Sequence, residues 1–256
     1  MMSERLIYFI ILFFLFGCSK DPQEVNIYSI PDEFKLDLHQ AVSSQGSNPA
    51  FKISTLDTRT CTNDKLIVTI SKIGNSLGID ILDIDVAPQC NNISGKVSTD
   101  VYAILSPGTY ALNIDLKDQI INNGTITVTD QSYHLNLNTD YGLKIGKLNI
   151  LKIPDGLIWG YIKEANTPSI NGTDLYNRLL MHMTPKNDLP SGDYGLFKKE
   201  DEEVYFIDAG YSLNIDKKFL MQLNTSISEI KKIVKQFKEE NPEVEFKIYT
   251  SRGVIN

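Results

Sequence analysis

Residues 108–137, GTYALNIDLKDQIINNGTITVTDQSYHLNL, decide the fold class of this chain. Apolar and polar side chains alternate along three successive segments of this stretch. The apolar members are Tyr110, Leu112, Ile114, Leu116, Ile126, Val128, Leu135 and Leu137. A period of two residues is typical of strands that bury one face. Asn123-Gly124 lies between two of the segments and favours a type I′ hairpin turn, in which both central residues take positive φ. The stretch therefore predicts antiparallel strands joined by hairpins.

The same period extends upstream to about Phe51. Leu66, Val68 and Ile70 share a face, but the phase slips between Ile79 and Val86. A bulge or bend at Leu82-Asp83 would produce such a slip. Short strands separated by turn signals predict an antiparallel β-sandwich over residues 31–152.

The segment before Phe51 leaves two interpretations open. Pro31-Asp32-Glu33 is able to begin a helix that runs to Val42, whereas Phe34, Leu36 and Leu38 alternate like a strand. The sequence SSQGSNP at 43–49 then predicts a loop.

The pattern changes after the turn signal Pro154-Asp155-Gly156, so residues 153–256 are predicted to form a smaller α+β domain. A strand is predicted from Leu157 to Ile162, whereas 174–183 fits either a strand or a helix. Residues 194–199 and 204–207 predict a hairpin with the acidic tip Glu200–Glu203.

One long helix near the C-terminus carries the strongest local signal. Ser226 and Glu229 form a capping box, in which each side chain satisfies a free backbone donor of the other residue. The apolar face consists of Ile227, Ile230, Val234 and Phe237. Asn241-Pro242 ends the helix, and an alternating strand follows it, which predicts a strand–helix–strand unit with parallel strands.

The N-terminus carries a motif for export. Arg5 precedes the apolar run from Leu6 to Phe16, and this run is shorter than the ~20 residues of a membrane-spanning helix. The ending Leu15-Phe16-Gly17-Cys18 resembles the lipobox of bacterial lipoproteins. The resemblance implies a signal peptide at 1–17, lipidation of Cys18 and a tether at 18–30.

The same resemblance implies a bacterial outer-membrane protein held by acyl chains, facing either the periplasm or the cell surface. Ser19-Lys20-Asp21 is similar to the acidic signals that send lipoproteins to the surface in Bacteroidota. Two or more acyl chains hold a protein stably, whereas one chain binds a membrane only marginally.

Cys61 and Cys90 are the remaining cysteines. In an oxidising compartment, such an even pair favours a disulfide. The alternative is a zinc site, but His39, His134 and His182 are scattered and do not lie at ligand spacing. We therefore expect a Cys61–Cys90 disulfide, and no metal or cofactor.

A second resemblance concerns Leu105-Ser106-Pro107-Gly108-Thr109-Tyr110-Ala111-Leu112. It resembles the turn-into-strand signature of immunoglobulin-like and fibronectin-like modules, which implies an immunoglobulin-like sandwich. Residues 189–196, LPSGDYGL, repeat the Leu-x-x-Gly-x-Tyr-x-Leu spacing.

Few residues suggest catalysis. Gly74-Asn75-Ser76-Leu77-Gly78 matches the Gly-x-Ser-x-Gly nucleophile elbow, which needs a strand-to-helix turn. Asp80, Asp83 and Asp85 suggest calcium, but the phase slip puts Asp80 and Asp85 on opposite faces of a regular strand. Phosphate-loop and paired metal-ligand motifs are missing. Tyrosines occur throughout the predicted strands, and those that are exposed would suit contacts with a glycan or a protein.

The net charge of −7 and the lack of a basic half exclude the electrostatic footprint of a nucleic-acid binder. The sequence thus predicts a non-enzymatic, lipid-anchored envelope protein with a binding or assembly role. Its expected partners are the membrane, through the lipid, and a protein or glycan. One alternative is a fimbrillin-like pilus subunit, matured after Arg59. The rival class is a surface hydrolase that uses Ser76.

Overall fold

The computed structural model describes residues 33–43, 46–163, 172–207 and 215–255. Ten strands lie in the part of it that ends at Leu151. They are β1 (Phe34–Ser43), β2 (Gly46–Thr55), β3 (Lys65–Ile73), β4 (Ser76–Asp85), β5 (Ser98–Tyr102), β6 (Gly108–Leu116), β7 (Ile120–Val128), β8 (Ser132–Leu137), β9 (Leu143–Ile145) and β10 (Asn149–Leu151).

These strands form two sheets that share one hydrophobic core. The four-stranded sheet has the order β5-β2-β1-β9, and the six-stranded sheet has the order β10-β8-β7-β6-β4-β3. Leu36 and Phe51 from the first sheet and Leu112 and Ile126 from the second belong to the same buried cluster. The period-two pattern therefore identifies the buried faces, and the β-rich fold class is confirmed.

Most pairings in both sheets are antiparallel, but two are parallel. β9 runs parallel to β1, and β4 runs parallel to β6. The prediction of purely antiparallel sheets was wrong at these two places. Parallel neighbours need a longer connection than a hairpin, and the chain between β4 and β6 provides it.

The hairpin between β6 and β7 does not turn at Asn123-Gly124. It turns at Lys117-Asp118, where both residues have φ of 55°. Gly124 lies inside β7, between Leu112 on β6 and Leu137 on β8. A Cβ at this position would lie 2.3 Å from the carbonyl oxygen of Asn136. The glycine permits a close approach of two backbones and does not form a turn.

The predicted bulge is present. Ile81 pairs with Val68 and Asp83 pairs with Ile67, so Leu82 has no partner on β3. The extra residue explains the phase slip in the sequence.

The structure of the N-terminal segment agrees with only part of the prediction. β1 and β2 form a hairpin that pairs Phe34 with Thr55 and Ser43 with Gly46, so the strand interpretation of Phe34–Leu38 is confirmed. The predicted loop at 43–49 is wrong for Gly46–Pro49, which belong to β2. Cross-strand pairing with β1 overrides the loop propensity of these residues.

The rest of the described chain contains both helices and further strands. They are β11 (Leu157–Lys163), α1 (Gly172–Leu180), β12 (Met183–Pro185), β13 (Gly192–Asp193), β14 (Phe197–Glu200), β15 (Glu203–Phe206), β16 (Ile215–Leu223), α2 (Ile227–Glu240), β17 (Phe246–Thr250) and β18 (Gly253–Ile255). The segment 174–183, which the sequence left open, is therefore helical up to Leu180.

β11 is the centre of a five-stranded sheet with the order β12-β16-β11-β17-β18. Leu157, Trp159 and Tyr161 pack on one face, in a core shared with the three-stranded sheet β13-β14-β15. Ile158 and Ile162 pack on the other face, in a core shared with both helices. Burial on both faces explains why β11 is a continuous apolar run.

The capped helix and its flanking strands agree with the sequence. Ser226 accepts a hydrogen bond from the backbone N–H of Glu229, at 3.2 Å, and Ile230, Val234 and Phe237 are buried. β16 and β17 are each antiparallel to β11, so they run parallel to each other, with β11 between them.

The two eight-residue motifs have a similar local structure. The hydroxyl of Tyr110 donates to the carbonyl of Ser106 at 2.9 Å, and that of Tyr194 donates to the carbonyl of Pro190 at 2.8 Å. The motif glycines, Gly108 and Gly192, have φ of 153° and 156°. Burial raises the pKa of Tyr194 to about 12. The repeated spacing thus corresponds to a repeated tyrosine corner.

Glu33 to Ile255 belong to one compact unit. Buried Gln40 on β1 spans the predicted boundary near Lys152–Gly156. Its amide donates to the carbonyls of Leu151 and Tyr194, at 2.7 Å each, and accepts from the backbone N–H of Ile153 at 3.1 Å. The division into domains 31–152 and 153–256 stays a prediction, because it concerns independent folding.

Candidate functional site

The predicted lipidation site lies outside the described residues, as do the signal peptide 1–17 and the tether 18–30. Cys61 and Cys90 are joined in a disulfide, as predicted. The disulfide ties the loop before β3 to the loop after β4. Arg59 and Gly95 reinforce this link with two backbone hydrogen bonds of 2.8 and 2.9 Å.

Arg59 has a structural partner. Its guanidinium contacts the buried carboxylate of Asp64, with both Nε and Nη2 at 3.1 Å from Oδ2. The other oxygen of Asp64 accepts from the backbone N–H of Ala87 at 3.0 Å. Arg59 thus neutralises a buried acid, and the fimbrillin-like alternative stays a prediction with no added support from this residue.

Ser76 lies at the first position of β4, directly after the two-residue turn Gly74-Asn75. The turn joins two antiparallel strands, whereas the nucleophile elbow joins a strand to a helix. Its loop alternative, a plain hairpin, is therefore confirmed, and the hydrolase hypothesis loses the geometry on which the motif depends. It stays a prediction that labelling with a serine-directed fluorophosphonate would test.

The three aspartates of β4 do not behave as expected from the phase slip. Asp80, Asp83 and Asp85 pair with Thr69, Ile67 and Lys65, which alternate with the buried face of β3. The bulge restores the phase, so the three carboxylates share the outer face. Among the described residues, no group of three or more His, Cys, Asp or Glu side chains is placed to hold a metal ion.

Most of the tyrosines are packed, as expected. Tyr110, Tyr133, Tyr161 and Tyr194 are buried, whereas Tyr102 and Tyr141 are about half exposed. Tyr211 lies outside the described residues. Exposure of Tyr102 and Tyr141 alone does not identify a glycan or protein contact.

One large cleft, of 620 Å³, lies against the outer face of β1 and β2. Its lining includes four lysines, Lys35, Lys52, Lys96 and Lys147, and two aspartates, Asp37 and Asp100. Lys35 contacts Asp37 at 2.5 Å, and His39 contacts Asp100 at 3.1 Å. The hydrogen bond from His39 lowers the pKa of Asp100. Lys147 contacts Asp193 at 2.6 Å, so several charges of the cleft have partners of opposite sign.

A different arrangement surrounds Lys199. The hairpin β14–β15 alternates, with Phe197, Val204 and Phe206 facing the core and Lys198, Glu200 and Tyr205 facing outward. Lys199 falls on the inward phase, opposite Val204, and only 8% of its surface is exposed. Lysine is rarely so buried unless a carboxylate pairs with it. The position is therefore exceptional.

The ammonium of Lys199 donates to the backbone carbonyl of Asp201. It forms no ion pair within the described residues, whereas its outward neighbour Lys198 contacts Glu200. An ammonium carries three donors, so one carbonyl leaves part of its hydrogen-bonding capacity unused.

Lys199 lines a pocket of 500 Å³ between the β14–β15 hairpin, β16 and α1. The other lining residues come from all three parts, from the end of β12 and from the segment after it. They are Tyr176, Pro185, Lys186, Asn187, Glu202, Glu203, Val204, Lys218, Phe219 and Leu220. The volume lies within the ~300–1,000 Å³ of small-molecule sites. We call this cavity the Lys199 pocket.

Two other lysines of the pocket have acidic neighbours. Lys186 contacts Asp188 at 3.0 Å, and Lys218 lies 4.0 Å from Glu203 and over the ring of Tyr205. Tyr176 and Phe219 pack edge to face, with ring centroids 6.2 Å apart. The pocket thus combines cations, carboxylates, an amide and aromatic rings.

The sequence contains a signal for this pocket in the β14–β15 hairpin. In the hairpin sequence FKKEDEEVYF at 197–206, the phase set by Phe197 places Lys199 on the buried face. A charged residue at an inward strand position breaks the alternation, and such breaks are expected at functional sites.

No protein-family model, curated protein sequence or solved structure matches this chain. In the described part of the chain, neither helix has the length and apolar character needed to cross a bilayer.

Proposed function

We propose that this chain is a lipid-anchored protein of the bacterial cell envelope that binds a ligand in the Lys199 pocket. The lipobox-like sequence Leu15-Phe16-Gly17-Cys18 supports the anchor. The Cys61–Cys90 disulfide fits an oxidising compartment such as the periplasm or the cell surface. In this proposal the protein sits on the outer membrane and uses no cofactor.

The observation that carries the binding role is Lys199. Lys199 is 8% exposed and lines the pocket, and its ammonium has no carboxylate partner within the described residues. An anionic ligand would supply the partner that this ammonium lacks, and the new ion pair would favour binding. This physical argument favours binding over a purely structural role.

We further propose that the two sheets of residues 33–151 form an immunoglobulin-like sandwich that carries the pocket-bearing part of the chain. The shared core of both sheets and the tyrosine corner at Ser106–Tyr110 support this assignment. The sandwich would act as a scaffold between the membrane tether and the binding part.

The anchor is tested with Cys18→Ala in the native bacterium. Acylation requires the thiol of Cys18, so a fatty-acid analogue should label the wild-type protein and leave the variant unlabelled. Cys61→Ala is a control for the loss of another cysteine, since it breaks the Cys61–Cys90 disulfide, leaves the thiol of Cys18 in place and should keep its label. Equal labelling of wild type and Cys18→Ala would refute the anchor.

A further inference from the structure

The charged residues of the Lys199 pocket indicate the charge of its ligand. Lys186, Lys199 and Lys218 line the cavity together with Glu202 and Glu203, and Asp188 lies beside Lys186. These three lysines and three carboxylates balance in formal charge. The charge of the ligand is therefore indicated by which lysine has no carboxylate at ion-pair distance.

Two of the three lysines have acidic neighbours. Lys186 has Asp188 as a neighbour at 3.0 Å, and Lys218 has Glu203 at 4.0 Å. Lys199 has no carboxylate at ion-pair distance in the described ranges, and its ammonium contacts only the carbonyl of Asp201. A ligand carboxylate would complete this environment with a charge-assisted hydrogen bond.

The remaining lining residues restrict the ligand further. The carboxylates of Glu202 and Glu203 accept hydrogen bonds, and Asn187 both donates and accepts. These groups suit hydroxyls, whereas a dianion such as phosphate would meet repulsion from the two glutamates. Tyr176 and Phe219 add aromatic surface for an apolar ring face.

From these observations we infer that the Lys199 pocket binds a sugar acid, a ring with several hydroxyls and one carboxylate that pairs with Lys199. This inference rests on the proposed binding function and names its ligand class. The sugar acid is either a free monosaccharide or one residue of an acidic oligosaccharide, and both present the same carboxylate and hydroxyls.

The test is calorimetric titration of the full-length lipoprotein in detergent micelles. The probes are D-glucuronate, D-galacturonate and an oligogalacturonate, with D-glucose, D-galactose, inorganic phosphate and tetraglutamate as comparisons. Saturable binding of a uronate, with the matching neutral sugar at least about tenfold weaker, is the expected result. Tighter binding of the oligogalacturonate than of the monosaccharide would identify a glycan chain as the source; the reverse would identify the free acid.

Two variants of Lys199 and one control connect the binding to this side chain. Lys199→Met removes the charge at similar length and should weaken uronate binding by about tenfold or more. Lys199→Arg keeps the charge and should retain most of the affinity. Lys198→Met removes the neighbouring outward lysine of the same strand and should change the affinity less than about twofold.

Three results would overturn the inference. Equal affinity for a uronate and its neutral sugar would show that the pocket does not recognise the carboxylate. If the protein binds tetraglutamate and does not bind a uronate, the ligand class is an acidic peptide and not a sugar acid. The proposed binding function would still hold. Unchanged uronate affinity in folded Lys199→Met would exclude this pocket. The proposed lipid anchor is tested separately, by the fatty-acid labelling of Cys18.

Discussion

Lys199 is the residue at which sequence pattern and burial disagree most strongly. Its neighbours on the hairpin follow the alternation, and the lysine takes a place that an apolar side chain would fill. Among the described residues, its ammonium donates a hydrogen bond only to the backbone carbonyl of Asp201. A position that lowers stability and opens on a pocket is typical of a site kept for function.

We therefore expect Lys199→Met to stabilise the protein without ligand, by about 1 kcal/mol, because it removes a partly desolvated charge beside Val204. The free energy of unfolding from urea denaturation measures this effect. Lys198→Met is the control and should stay within about 0.5 kcal/mol of wild type. A loss of stability in Lys199→Met would indicate that the bond to Asp201 is structural.

A second residue-scale prediction concerns Gly124. Gly124→Ala should destabilise the protein by about 1–3 kcal/mol, because its Cβ would lie 2.3 Å from the backbone oxygen of Asn136. Gly78→Ala is a matched strand control, since its Cβ would meet only the side-chain oxygen of Ser71, at 2.8 Å, which can rotate away. The midpoint of urea unfolding is measured for both variants, and equal midpoints would contradict the steric explanation.

At the scale of elements, the irregular segments around β3 and β4 depend on the disulfide. The loops at 56–64 and 86–97 contain no long strand, and few apolar side chains of their own anchor them. The Cys61–Cys90 bond and the Arg59–Asp64 pair hold the two loops together. The disulfide thus replaces the packing that a larger core would provide.

Replacing both Cys61 and Cys90 with alanine should lower the free energy of unfolding by roughly 3–4 kcal/mol, since the bond closes a loop of 29 residues. Chemical denaturation of the variant beside the wild type measures this loss. Wild type in the presence of a reductant should lose a similar amount. A change below about 1 kcal/mol would show that the loops are held by their hydrogen bonds alone.

At the scale of the whole molecule, Gln40 and Gly195 join the sandwich region to the rest of the chain. Gln40 is buried and makes three hydrogen bonds, of which those with Ile153 and Tyr194 cross the predicted boundary. A Cβ on Gly195, which has φ of 78°, would lie 2.8 Å from the backbone nitrogen of Gln40. Val42 and Leu151 also pack against the core around Trp159.

Residues 154–256 contain the buried core around Ile158 and most of the core around Trp159, and should fold without residues 31–152. Expressed alone, this fragment should unfold cooperatively in urea by circular dichroism, at a lower midpoint than the full chain because the Gln40 contacts are lost. In the full chain, Gln40→Ala should lower the midpoint in the same direction. A fragment without a cooperative transition would show that both regions form one folding unit.

The sequence by itself determined the β-rich class, the bulge at Leu82, the capped helix and the disulfide pair. Each of these rests on local alternation, on capping chemistry or on the number of cysteines. Only the tertiary structure decided that Asn123-Gly124 lies within a strand, that Gly46–Pro49 pair with β1, and that Lys199 lines a pocket. These three outcomes depend on which backbone segments approach each other across the sheets, and neighbouring residues in the chain carry no direct record of such distant contacts.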